Sequence, residues 1–189
     1  TTASADGLTI TYETDHIAYG TYDYSRSSVT TLNANGSRTQ TVTRSNADGL
    51  VKREVTTVSG NGLSSTVQTD RDGNATFART TTSQRVLNQD GSVVDTVTET
   101  SANGSQIAQS VTTVSADRDT TSIALSLVGV NVQNETRVVQ ANGDTVATVV
   151  SKNTAGTVLS TVTTTTSANG LSKVVQTKNG AGTVIDTQT

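Results

Sequence analysis

The sequence predicts an all-β protein built as a tandem meander of antiparallel β-hairpins. Asn-Gly and Asp-Gly pairs, the strongest short-range hairpin signals, end at Gly36, Gly49 and Gly62, thirteen residues apart. The runs between these turns are rich in Val and Thr, whose β-branched side chains suit pleated strands. The chain contains no proline, so every strand residue keeps the backbone N–H that an inner strand needs.

The sequence also repeats over a period longer than the spacing between turns. The phrases TTASADGL, TTVSGNGL, TTVSADRD and TTTSANGL align on four serines with successive spacings of 55, 56 and 52 residues: Ser4, Ser59, Ser115 and Ser167. Each period contains about four turns and hence about four strands. We therefore expect one continuous array of four segments: repeat unit 1 at 1–55, unit 2 at 56–111, a degenerate unit 3 at 112–163, and half a unit at 164–189.

Short loops between consecutive strands force antiparallel neighbours, because a parallel pair needs a crossover of a dozen or more residues. Three architectures satisfy this condition: a single long twisted sheet, a sheet folded into a sandwich or barrel, and a stack of four-stranded units. The long period favours an elongated, stacked or solenoid-like array, in which each unit covers the next. A β-sandwich is the alternative.

Composition narrows the range of functions. The net charge of −3 comes from scattered side chains with no basic stripe, so we expect no nucleic-acid partner. No apolar run approaches the roughly 18 residues of a membrane span, so we expect no membrane insertion. The chain has no Cys, and His16 is its single histidine. No G-x-S-x-G elbow surrounds any serine. We expect no enzyme, no catalytic residue and no organic cofactor.

One segment has the spacing of a metal loop. Asp70, Asp72 and Asn74 occupy positions 1, 3 and 5 of a run in which alternate oxygens converge on a calcium ion in EF-hand loops. Thr81 stands at position 12, where an EF-hand has glutamate. The hypothesis is therefore a calcium site at these three residues, and the alternative is an ordinary Asp-Gly turn.

The tyrosines Tyr19, Tyr22 and Tyr24 form the one aromatic concentration in the sequence. The pattern favours a small local core that caps the first repeat unit. The competing interpretation is a ligand or subunit contact, such as one with a carbohydrate.

The phrases SADGL, SANGL, SANGS, LNQDGS and VQTDRDGN resemble the long tandem repeats of giant secreted bacterial proteins, the RTX-type and calcium-binding adhesins and surface proteins. The resemblance covers essentially the whole chain. It implies an extracellular or cell-surface location and a role in adhesion, biofilm or a surface layer. The G-G-x-G-x-D calcium motif of that family is absent, so the calcium hypothesis depends only on the spacing of Asp70 and Asp72.

Together these features predict a structural or adhesive extracellular repeat protein, either a fibre- or filament-forming subunit or the stalk of a bacterial surface adhesin. Its first expected partner is itself, through sheet edges or stacked ends, because unpaired strand edges recruit further strands. The alternative function is a carbohydrate- or surface-binding β module with a glycan or surface ligand.

Overall fold

The computed structural model describes residues 1–14 and 23–189. Within them the chain forms fifteen β-strands: β1 (Thr2–Ala3), β2 (Thr9–Thr14), β3 (Tyr24–Leu32), β4 (Arg38–Asn46), β5 (Gly49–Val58), β6 (Ser64–Asp70), β7 (Arg79–Leu87), β8 (Val93–Ser101), β9 (Gln106–Val114), β10 (Thr120–Leu127), β11 (Val130–Val139), β12 (Thr145–Lys152), β13 (Val158–Thr166), β14 (Lys173–Asn179) and β15 (Val184–Gln188). Among the described residues there is no helix long and apolar enough to cross a membrane.

The strands follow one another in the sheet in the same order as in the sequence, from β1 to β15. Each pairing for which a register is defined is antiparallel. The predicted all-β hairpin meander is therefore confirmed. The physical reason is the predicted one, since connections shorter than the dozen residues of a parallel crossover make each strand pair antiparallel with the strand before it.

Contact density divides the chain into two compact units. The first contains Thr1–Gln84 and Glu99–Ser105, and it holds β1 to β6 with most of β7. The second contains Arg85–Thr98 and Gln106–Thr189, and it holds β9 to β15 with most of β8. These units differ from the sequence repeats, whose boundaries remain a prediction.

One kind of turn marks the long sequence period. At Ser59 the backbone N–H donates to the Ser64 carbonyl, so this turn is one residue longer than the turn in which the Asn33 N–H donates to the Ser37 carbonyl. The Ser59 hydroxyl donates to Asn61 Oδ1 at 2.7 Å and accepts from the Ser64 N–H at 2.9 Å. The same contacts recur in the other three turns that align with it, which begin at Ser4, Ser115 and Ser167.

A shorter turn alternates with the serine turn in both units. The Asn33 N–H donates to the Ser37 carbonyl, and Asn88 and Gln140 begin turns of the same length at the same ends of the strands as the serine turns. Turns of the two kinds pack against each other. A side-chain carbon built on Gly60, in the serine turn, would lie 3.0 Å from the backbone of Gly36, in the shorter turn. In the second unit, Gly91 meets Ala116 and Gly143 meets Ala168 in the same way.

The sheet has almost no apolar interior in the described residues. None of their hydrophobic side chains is buried, and the three buried residues are polar: Ser28, Ser37 and Asp70. Large apolar side chains such as Leu87 and Ile185 are more than half exposed. Ladder hydrogen bonds and half-covered Val and Thr side chains therefore hold the strands together.

Candidate functional site

The loop between β6 and β7 is held together by several side-chain contacts. Asp70 ends β6, and its side chain is completely buried. Its carboxylate accepts the N–H of Asp72 at 3.2 Å and the N–H of Ala75 at 2.9 Å. Asn74 Oδ1 accepts the N–H of Thr76 at 2.8 Å. Both side chains thus satisfy backbone donors of their own loop, which is how Asp and Asn stabilise turns.

Arg53 holds the same loop from the neighbouring strand. It is the cross-strand partner of Asp70, and its Nη2 donates to the Ala75 carbonyl at 2.9 Å. The guanidinium carbon lies 4.5 Å from the centroid of the Phe77 ring, within cation–π range. Ala75 is therefore fixed at its N–H by Asp70 and at its carbonyl by Arg53. This double contact explains how a non-glycine residue keeps a φ of 66°.

The calcium prediction concerns this loop. Calcium takes six to eight oxygen ligands, usually several of them carboxylates. Among the described residues there is no group of three or more His, Cys, Asp or Glu side chains that could hold a metal ion. In the structure the side chains of Asp70 and Asn74 accept backbone N–H groups of the loop, and the Asp72 N–H donates to Asp70. Calcium binding at Asp70, Asp72 and Asn74 remains a prediction.

Of the aromatic cluster, Tyr19 and Tyr22 lie outside the described residues, as does His16. Tyr24 begins β3 and packs edge to face against Tyr12 of β2, with ring centroids 6.5 Å apart at 66°. Tyr12 stays 46% exposed. The structure thus retains an aromatic pair on the surface of the first unit, with one member, Tyr12, that the sequence cluster did not include.

Beside the tyrosine pair the sheet register creates a row of positive charge. Tyr12, Arg26, Arg44 and Lys52 are direct cross-strand partners on four consecutive strands, β2 to β5. Direct partners share a face of the sheet, and neighbouring strands lie about 4.8 Å apart. Three cations therefore stand side by side on one face, next to an exposed ring. We call these four residues the cationic row.

The cationic row borders a shallow depression lined by Arg26, Val42, Arg44, Lys52 and Glu54. Glu54 lies 3.7 Å from Lys52, so one of the three cations has an acidic partner. Within the part of the chain that the structure describes, no carboxylate forms a recorded ion pair with Arg26 or Arg44. Among the described residues, the guanidinium groups of Arg26 and Arg44 thus line the depression without a carboxylate in ion-pair contact.

Sequence reasoning missed the cationic row. The three cations are separated by eighteen and eight residues, so composition shows them as scattered charges. The signal that finds them is register. Once the turn after Leu32 and the bulge near Ser45 are counted, the three side chains fall into one line. That bulge has no distinctive sequence signature, and without it Lys52 would not lie opposite Arg44.

A second row, on the opposite face of the first unit, is made of threonine. Five consecutive strands, β3 to β7, place a threonine at the same level: Thr31, Thr39, Thr57, Thr66 and Thr82. The hydroxyl oxygens of Thr39 and Thr57 are 3.2 Å apart, a hydrogen bond between neighbouring strands. Such cross-strand pairs stabilise a sheet, so this row has a sufficient structural role.

A scan of the sequence against models of known protein families finds no match. A search of curated proteins also finds none. Fold and site geometry therefore carry the functional inference. They define an all-β hairpin meander whose surface bears one cationic row and one tightly held loop.

Proposed function

We propose that this chain is a structural, adhesive repeat segment of an extracellular or cell-surface protein, acting as a filament subunit or as the stalk of an adhesin. The observation that supports this proposal is the absence of any buried hydrophobic side chain among the described residues. Each strand gains its stability from the strands beside it. An array of this kind can be lengthened without designing a new core, which suits a spacer.

Self-association is part of the proposal. The sheet offers exposed apolar side chains, and β15 has a hydrogen-bonded neighbour on one side only. Unpaired strand edges accept further strands, and half-covered faces gain by being covered. The resemblance to repeats of secreted bacterial adhesins and the lack of cysteine support the location.

Sedimentation and electron microscopy of the purified chain test this function. We expect concentration-dependent association into rods or fibres. Ile185→Lys places a charge on β15 and should weaken the association, because charges on an edge strand oppose further pairing. Leu171→Lys is the matched control, since Leu171 is 87% exposed in a turn away from that edge. A chain that stays a compact monomer at all concentrations would contradict the proposal.

A second candidate function is a carbohydrate- or surface-binding module. The Tyr12–Tyr24 pair favours it, because an exposed ring beside hydrogen-bond donors is a common way to hold a sugar. Screening the chain against a panel of neutral and acidic glycans tests this function, and we expect binding to be lost in Tyr12→Ala.

A further inference from the structure

We infer that the cationic row is a binding site for an acidic polysaccharide, one that carries carboxylate or sulfate groups along its chain. This inference rests on the carbohydrate-binding candidate and names its ligand class. It concerns Tyr12, Arg26, Arg44 and Lys52, which no sequence motif singles out.

The first support is the electrostatic repulsion within the cationic row. Like charges placed directly opposite each other destabilise a sheet, yet Arg26 faces Arg44 and Arg44 faces Lys52. In the next repeat unit, 55 residues further on, the equivalent positions are Val67, Thr81, Glu99 and Ile107. The fold therefore does not need cations at this level. An anionic ligand would remove the repulsion.

The second support is geometric. Arginine forms paired hydrogen bonds to carboxylate and sulfate oxygens, because its guanidinium is a planar fork of donors. Arg26 and Arg44 are both exposed, on adjacent strands. A ligand lying across the strands would meet a cation at each strand spacing of about 4.8 Å. A linear polymer with a charge on successive units satisfies all three cations, which a single small anion does not.

The third support selects a sugar polymer among the polyanions. Tyr12 continues the row on β2, is 46% exposed, and is held edge to face by Tyr24. A fixed aromatic face beside cations suits a ring with an apolar C–H face and an acidic substituent. Nucleic acid is less suitable, because the chain carries a net charge of −3 and its other basic residues are dispersed.

Titration calorimetry with polygalacturonate tests the inference, with neutral dextran as the uncharged probe. We expect the intact chain to bind polygalacturonate and binding to weaken as salt is added. Arg26→Gln and Arg44→Gln should each weaken binding about tenfold, as loss of one charge-assisted hydrogen bond predicts. Arg38→Gln is the matched control, since Arg38 lies on the same strand and face as Arg44 but outside the row. It should bind within about twofold of wild type.

The remaining outcomes separate the two proposals. Binding of dextran but not polygalacturonate would overturn the acidic ligand and leave the carbohydrate-binding candidate standing. Binding of neither would overturn the acidic ligand, and the panel of glycans would then decide the carbohydrate-binding candidate. If Arg38→Gln weakens polygalacturonate binding as much as Arg26→Gln or Arg44→Gln does, the binding comes from general charge attraction and not from the cationic row. Tighter binding to single-stranded DNA, or to vesicles containing phosphatidylglycerol, would overturn the polysaccharide as ligand. Circular dichroism of each variant should show an unchanged strand spectrum, because the next repeat has no cation at any of the equivalent positions.

Discussion

Val128 has a backbone conformation that its side chain disfavours. It precedes Gly129 in the two-residue turn between β10 and β11, with φ values of 49° and 79°. Such a turn needs positive φ at both positions, which Asn-Gly adopts readily and a β-branched residue does not. The Val128 side chain is 79% exposed, so no packing offsets the strain.

Val128→Asn should therefore stabilise the protein. We expect a gain of about 1 kcal/mol in the free energy of unfolding, because asparagine adopts the left-handed region more readily than valine, which pays the usual penalty there. Denaturant unfolding of the variant and of wild type measures it. An unchanged or lower stability would mean that the Val128 side chain has a contact that offsets the strain.

Gly73 is required for a different reason. Its φ is 65°, and a side-chain carbon there would lie 1.7 Å from the Leu50 carbonyl oxygen. Gly73→Ala should cost about 1–2 kcal/mol for the conformation and about 1–3 kcal/mol more for displaced backbone. Gly62→Ala is the control, because its φ of 71° is similar but nothing lies within 4 Å. Equal thermal shifts in the two variants would contradict the close approach of the loop to Leu50.

Turn carboxylates make stability depend on pH. The Ser115 hydroxyl and then the Asp119 N–H lower the pKa of Asp117 below its ordinary value. Asp6 and Asp90 have a lowered pKa for the same reason, through the hydroxyl groups of Ser4 and Ser92. The pKa of Asp95, in β8, is lowered by the Arg85 guanidinium of β7. A lowered folded-state pKa contributes stability above the unfolded value of about 3.9, and this stability is lost as pH falls through the folded value.

We therefore expect the melting temperature to hold steady from neutral pH to about pH 5 and to fall below about pH 4. Asp117→Asn should keep the turn, because Asn61 and Asn169 make the same contacts in equivalent turns. The variant should match wild type at neutral pH and lose less stability in acid. Thermal melts of both proteins across this pH range test the prediction. If the melting temperature of the variant falls in acid as steeply as that of wild type, Asp117 does not contribute to the acid dependence of stability.

At the scale of single elements, the β6–β7 loop depends on one buried carboxylate. Asp70→Asn replaces an oxygen acceptor by an amide donor facing either the Asp72 or the Ala75 N–H. A buried donor left without an acceptor costs about 1–3 kcal/mol. We expect a loss of that size in denaturant unfolding, with Asp72→Asn as the exposed control. Equal losses of stability in the two variants would mean that the negative charge of the carboxylates, and not the hydrogen bonds of Asp70, stabilises the loop.

The calcium prediction for the same loop has its own measurement. If Asp70, Asp72 and Asn74 bind calcium, isothermal titration should record binding that Asp72→Ala abolishes. The absence of binding heat, or binding unchanged in that variant, would exclude the site. The turn contacts of Asp70 and Asn74 would then be their whole role.

Strands and simple turns were predictable because their causes are local. An Asn-Gly pair sets its own turn, and Val and Thr set the strands on either side of it. The β6–β7 loop was not predictable to the same degree, because it depends on Arg53 from another strand. The cationic row was hidden for a similar reason, since a single bulge near Ser45 determines which side chains meet. The turn at Val128 and Gly129 was missed because valine is not a turn residue.

At the scale of the whole molecule, stability should be distributed rather than central. Removing residues 173–189 deletes β14 and β15 but takes no support from strands before β13. We expect the shortened chain to keep the strand spectrum of the remaining residues and to unfold at nearly the same temperature, as nearest-neighbour repeat arrays do. A collapse to an unfolded chain would show that the sheet depends on a long-range contact.

The alternation of turns along one side of the sheet limits how such an array can grow. The short turns that begin at Asn33, Asn88 and Gln140 each pack against a serine turn whose second residue is glycine or alanine: Gly60, Ala116 or Ala168. Adding a single hairpin would bring two turns of one kind together and break that fit. Adding a pair of hairpins would preserve it. Gene duplication should therefore tolerate gains and losses of four strands at a time, and homologous arrays of different length should differ by whole multiples of that unit.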